Sequence, residues 1–377
     1  MAQGRPVARQ HPWSIVMSQY EARLERDLRR IHDRMEKLGN VVEAAMEHSI
    51  RAVMTGNEDL AYTTLLGDEQ VNRLMREIDA MCHGFIALHL PSAGHLRTIS
   101  ATIRTNVQLE RIGDYAVVIC REAVRLSSPP VGAVARELEM VASDAKLMLH
   151  QSLRAFHEGN GEAARTTMHM ADQAQVTMDK VYASLIDENQ TLCAADLFAH
   201  FAIYNHLKRV FDQAKNICEE TVFAVYGESK SPKVHTVLFI DEDNSFLTQM
   251  AEAIARKRFS ELAVFASAGR TPASRPDPTM MAFMEEHGYD LSSAQMRRLD
   301  PAPETIKDYF VVVSLQGPAK SYLPEVPFHT SALTWDLGDP PAGSDSAETK
   351  RRCEEIYRET ALQVQDLMAL LTGDTSS

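Results

Sequence analysis

No window of the 377-residue chain approaches the roughly 18 consecutive apolar residues of a membrane-spanning helix, so direct membrane insertion is not expected. Cysteine is sparse: Cys82, Cys120, Cys193, Cys218 and Cys353 are scattered and form no CxxC pair. That excludes a cysteine-built zinc site or disulfide framework, and the expectation is buried thiols in a reducing cytoplasm. Positive charge is in deficit, with 39 Lys+Arg against 52 Asp+Glu, and a net charge of −13 argues against nucleic acid as a partner. The opening MAQGRPVARQHPWSIVMSQ lacks the apolar run of a signal peptide, so residues 1–17 are read as an N-terminal extension. What remains, 45% hydrophobic and 7% aromatic, is ordinary globular composition, and the length allows two or three domains.

The acidity is unevenly placed. Residues 234–377 hold 13 Lys+Arg and 22 Asp+Glu, a net of −9, which leaves −4 for the rest. The composition changes at YGESKSPKVHT, a polar stretch with Gly227 and Pro232 and no helical period, which predicts a domain boundary at about 228–234.

The part before that boundary repeats itself. SIRAVMTGNED at 49–59 returns as SLRAFHEGNGE at 152–162, and LERIGDYAVVI at 109–119 returns as LKRVFDQAKNI at 207–217. The apolar positions Leu109, Ile112, Ala116 and Ile119 map onto Leu207, Val210, Ala214 and Ile217, the 3–4–3 spacing of one helix face. The pattern predicts an all-α bundle over 18–227 made of two three-helix repeats, 18–127 and 133–226. Helices are expected at about 18–55, 57–89 and 93–127, then 133–158, 160–189 and 193–226. Gly56-Asn57, Gly159-Asn160, Pro91 and Pro129-Pro130 supply the breaks.

Glu110 and Asp114 stand four residues apart beside that stripe, one helical turn from each other. Like charges so placed repel, and folding gains nothing from them, although an acidic pair on a solvated flank is also common. The second repeat keeps an acid, Asp212, at the matching place, which favours a role as oxygen ligands to a hard cation or iron. Asp68, at the head of DEQVNRLMREID, and Asp172 in the second copy are candidates to approach from a neighbouring helix.

ERxGDxAxxI at 110–119 on a third helix, preceded by Pro-Ser-Ala-Gly-His-Leu-Arg at 91–97 and set in a tandem three-helix unit, resembles the PhoU family of phosphate-signalling regulators. The resemblance covers about residues 18–226. It implies a six-helix bundle that acts without catalysis, coupling phosphate supply to a phosphate transporter ATPase and to a sensor histidine kinase. It also implies metal held by E(D)xxxD motifs, with iron or a divalent ion at Glu110 and Asp114, and a homo-oligomer is expected. The second motif departs from the pattern: Lys208 replaces the glutamate and Phe211 the glycine. A protonated lysine has no lone pair to offer and is placed to pair with Asp212 instead, so metal is expected in the first repeat and not at Asp212.

VLFIDEDNSFLTQMAEAIA at 237–255 reads as a buried strand, a polar loop and a helix, which predicts an α/β domain with a central parallel sheet over 234–373. A response-regulator receiver would need an acceptor aspartate after a later strand, and YFVVVSLQG at 309–317 offers none. FASAGRTPASRPDPTMMAFMEEHGYDLSSAQMRRL at 265–299 and WDLGDPPA at 335–342 resemble instead the low-molecular-weight tyrosine phosphatase and arsenate reductase family. In that family a CxGNxCRSP loop carries a cysteine nucleophile and a phosphate-binding arginine, and a late Asp-Pro carries the general acid.

Aligned on Asn244, the nucleophile becomes Asp241, the glycine Asp243, the arginine Leu247 and the Ser-Pro Thr248-Gln249, while Asp339 stands at the general-acid position. The chemistry needs a thiolate and a guanidinium fork, and neither is present. Cys353, in the charged stretch KRRCEEIYRE, lies far from the loop. The expectation is therefore a degenerate, inactive phosphatase-like domain. Its acidic loop either holds a cation or is a surface loop free to drift on a docking or dimerisation module. The competing readings are an arsenate reductase or tyrosine phosphatase with an atypical nucleophile, and an accessory protein of a different phosphate transporter.

Overall fold

Helix α1, Pro12–Thr55, buries Ile31, Met35, Leu38, Val42, Met46, Ser49 and Val53, spaced by threes and fours so that one stripe faces inward. In the computed structural model, which describes residues 12–170, 193–229, 234–292, 294–327, 329–341 and 346–373, this helix packs on α2, Glu58–His89, and α3, Ala93–Arg125. The second repeat supplies α4, Gly132–Glu158, the described part of α5, residues 161–170, and α6, Ala194–Tyr226. The rest of the helix expected at 160–189, Asp172 included, lies outside the described residues.

The repeated residues have local reasons. Gly56 and Gly159 take left-handed φ of 65° and 60° and end their helices, a conformation that suits glycine. Asn57 and Asn160 then cap the next helices, each side-chain oxygen accepting an N–H, from Leu60 at 2.9 Å and from Ala163 at 3.0 Å. Ser49 and Ser152 are fully buried and return their hydroxyls to the carbonyls of Met46 and Leu149.

The repeats meet chiefly through α3 and α6, the helices that carry the two acid motifs. Leu109, Ile112, Ala116 and Ile119 on one, and Leu207, Val210, Ala214 and Ile217 on the other, are wholly buried in one core. Gln213 donates to the hydroxyl of Tyr115 at 3.4 Å, and these two occupy equivalent places in their repeats, as expected where a local pseudo-twofold axis passes between the helices. The chain divides into two compact units, Met1–Lys230 and Ser231–Ser377.

The second unit is a four-stranded parallel sheet in the order β2-β1-β3-β4. The strands are β1, His235–Asp241; β2, Ala263–Gly269; β3, Val311–Ser314; and β4, Ser331–Thr334. Helix α7, Leu247–Phe259, follows β1, and α8, Pro278–Glu286, follows β2. Short α9, Pro303–Ile306, and α10, Ala319–Tyr322, flank β3, and α11, Ser346–Thr372, ends the described chain.

Because β1 lies between two helical layers, its whole run is apolar. Val237 and Phe239 face Met250, Ile254, Ile356 and Val364, while Leu238 and Ile240 face Leu299, Ile306 and Leu323. The sheet order reverses between β1 and β3, so the crevice at their carboxyl ends, where Asp241 and Gln316 sit, is where such sheets place ligands.

Candidate functional site

Two places carry the residues singled out from the sequence, one in each unit. In the bundle, α2 brings Asp68 towards Glu110 and Asp114 on α3. Burial and the Asp114 charge push the Asp68 carboxyl above its ordinary value. The same two causes, with Asp68 added, raise Glu110. Asp68 and Glu110 are half-buried and Asp114 is exposed. Asp68 is also tied to its own helix, its Oδ2 accepting from Asn72 at 2.7 Å. The three acids thus stand in one another's field and fit a cation only in part. Among the described residues no group of three or more His, Cys, Asp or Glu side chains is placed to hold a metal ion.

Gly113, between Glu110 and Asp114, lets α3 approach α2. A Cβ there would come 3.1 Å from Cγ1 of Val71. In the second repeat the buried Phe211 occupies that position. The direct ion pair expected between Lys208 and Asp212 does not form. Asp212 is raised chiefly by desolvation, and Lys208, Arg209 and Lys215 oppose this through their fields alone. Four cysteines are buried, and burial pushes Cys82 and Cys218 up to about 12 and Cys120 to about 11, so these thiols are inert. Cys193 departs from the expectation of burial. It is exposed because it caps α6, its sulfur accepting from the Asp196 N–H at 3.4 Å.

In the α/β unit the loop after β1 is neither a cation cluster nor a surface loop. Asp241 is 1% exposed and turns inward. Its Oδ1 accepts from the Asn244 N–H at 2.6 Å, and its Oδ2 from the N–H and the hydroxyl of Thr248 at 3.2 and 2.9 Å. Desolvation exceeds these bonds, and with the Asp243 charge beside it the carboxyl is pushed up to about 6. Asp243 turns away to bind the N–H and hydroxyl of Ser245, both at 2.9 Å. Glu242 pairs with Arg270 at 3.1 Å. The three acids therefore diverge.

Asn244, fully buried with φ of 55°, is the hub of the loop. It donates to the Thr248 hydroxyl at 2.9 Å and accepts from the Arg297 N–H at 2.8 Å and from Gln249 Nε2 at 3.2 Å. Gln249 reaches on to the Ser267 hydroxyl, which donates to the buried carboxylate of Glu252. Arg256 neutralises Glu252 at 2.7 Å.

Glu252, Ser267 and Arg297 were not singled out from the sequence, and Gln249 was read only as a replaced loop residue. The signal for Glu252 was available, since MAEAI places it on the buried side of α7, but apart from Arg256 on its own helix its partners come from β2 and from the segment before α9. Leu247, expected at the arginine's position, is 1% exposed and packs into the core. Asp339 accepts from Gln316 Nε2 at 2.9 Å, while Gln316 Oε1 receives the Glu242 N–H at 3.4 Å.

Chemically, the loop presents no thiol and no guanidinium to a phosphoryl group, and its central position is taken by a carboxylate. The surroundings are those of a folded, satisfied polar core. No helix of the described residues is long and apolar enough to cross a membrane.

Residues 35–123 and 138–221 match the PhoU domain, and residues 236–375 match the low molecular weight phosphotyrosine protein phosphatase family. The phosphate-specific transport system accessory protein PhoU of Serratia marcescens is 31% identical over 221 residues, which is 56% of this chain and 87% of that protein. The protein of the same name from Escherichia coli (strain K12) is 28% identical over 217 residues, 56% of this chain and 88% of that protein. The crystal structure of PhoU from Pseudomonas aeruginosa is alike in fold, with a TM-score of 0.52 and 23% identity over 54% of this chain and 99% of that one.

Proposed function

The chain belongs to the PhoU family and carries a low-molecular-weight phosphatase domain behind its helical bundle, and on that premise we propose that it regulates phosphate transport by binding other proteins, without catalysis. The bundle would dock on a transporter ATPase or a sensor kinase. The observation that supports the absence of catalysis is the pair Asp241 and Leu247, both buried, where a nucleophilic thiolate and a phosphate-binding arginine would be required.

The experiment is turnover by the full chain, with aryl phosphates and with arsenate plus a dithiol. No rate above a heat-treated control is expected, and Asp241→Cys alone should not create one, since Leu247 still supplies no cation. Activity that disappeared on changing residues 241–248 would overturn the proposal.

The repulsion among Asp68, Glu110 and Asp114 supports a second element, uptake of a divalent ion or iron in the first repeat. Elemental analysis of the purified protein should then find metal that is lost with Glu110→Gln plus Asp114→Asn and retained with Asp212→Asn. Metal content indifferent to the first pair would refute it.

A further inference from the structure

The head of α7 already holds an anion. Two of the donors on Asp241, the N–H and the hydroxyl of Thr248, belong to the first turn of this 13-residue helix, where unpaired N–H groups and the aligned peptide dipoles favour negative charge. The third donor, the Asn244 N–H at 2.6 Å, comes from a residue bent into the left-handed region, so the backbone is shaped around the carboxylate. The side chain of Asn244 fixes that bend from two sides, bonding Thr248 and the Arg297 N–H. Gly269 makes room for it, because a Cβ on residue 269 would come 2.6 Å from the Asn244 nitrogen.

We propose that this loop is an oxyanion cradle filled by its own Asp241 carboxyl group, which takes the place of a bound anion, fixes the loop in its cradle shape and keeps free phosphate and arsenate out. An incoming dianion would compete for the same three donors. It would also lie within a few ångströms of a buried carboxylate with no cation at Leu247, a repulsion that the helix dipole does not offset. Any response of the protein to inorganic phosphate then arises outside this loop. The partner on which the bundle docks has no bearing on this, so failure here would leave the regulatory role of the bundle standing.

The test is amide hydrogen exchange of residues 241–250 in the full-length chain, for wild type and Asp241→Ala, in chloride buffer with and without inorganic phosphate or formate. Wild-type exchange should not respond to either anion. In the alanine variant the Asn244 and Thr248 amides should exchange faster by about tenfold or more in chloride, having lost their acceptor, and either anion should restore protection with a saturable dependence. If the alanine chain does not fold in chloride, refolding only in formate or phosphate carries the same conclusion. The idea is overturned by phosphate protection of these amides in wild type. It is equally overturned by an alanine variant that ignores both anions, or that folds in neither.

Discussion

At the scale of single residues, the charge balance of Asp241 differs from that of a paired surface carboxylate. Its folded pKa is raised from 3.8 to about 6, so the folded state holds the proton more tightly than the unfolded chain. The penalty of the buried charge is absent below the ordinary value, grows through the window between the two, and is complete above about 6. Stability should therefore fall as pH rises through that window. The amount is roughly 3 kcal/mol, taking about 1.4 kcal/mol per pH unit. Asp241→Asn removes the titration, so the difference in unfolding free energy between wild type and variant should change by that order between pH 4 and pH 7. A difference independent of pH would show that Asp241 does not titrate as its burial requires. The asparagine variant will not simply be more stable, because its one carbonyl oxygen cannot serve both the Asn244 and Thr248 amides.

At the scale of elements, close approaches made by glycine decide how the pieces fit. Gly269, at the end of β2, touches the backbone of the Asp243–Asn244 loop, and no flexible side chain stands there to yield. Gly269→Ala should destabilise the chain by about 1–3 kcal/mol and loosen the loop, measured as a lowered denaturant midpoint with faster exchange at residues 241–248. An unchanged midpoint would mean that the loop relaxes freely, contrary to its buried hydrogen-bond network. In the bundle the equivalent device is Gly113 against Val71, and its replacement by Phe211 in the second repeat shows that the two motif helices keep the same inward stripe while their flanks diverge. That divergence also explains Lys208. It acts on Asp212 through its field without contact, so Lys208 offsets the Asp212 charge by position.

At the scale of the whole chain, the proposed docking of the bundle predicts where the chain is found in cells. If the bundle docks as proposed, recruitment to membranes runs through a protein partner, and a net charge of −13 disfavours binding to anionic lipid. In cells, the fraction of the chain sedimenting with membranes should drop when the phosphate transporter and its kinase are deleted, and crosslinking in intact cells should join the bundle to one of them. Tight membrane association that survives both deletions would point to direct lipid binding.

Much of the bundle was readable from the sequence because its information is periodic and repeated. Stripes at 3–4–3 spacing, Gly-Asn breaks and a duplicated motif each act within one helix or one turn, so local physics suffices to place them. The β1–loop–α7 order of the second unit was legible for the same reason. What the sequence could not decide is where the acids point. Asp241, Glu242 and Asp243 are adjacent and look like one cluster, yet the fold sends the first into the core, the second to Arg270 and the third onto Ser245. The partners that separate them come from β2, from residue 297 and from the start of α7, segments brought together only when the sheet closes. Likewise, the pairing of Tyr115 with Gln213 depends on the packing of one repeat against the other. A string of residues specifies which groups are charged and how often they recur. Desolvation and long-range hydrogen bonding, which decide whether a carboxylate binds, titrates or fills a cradle, exist only once distant segments have excluded water from it.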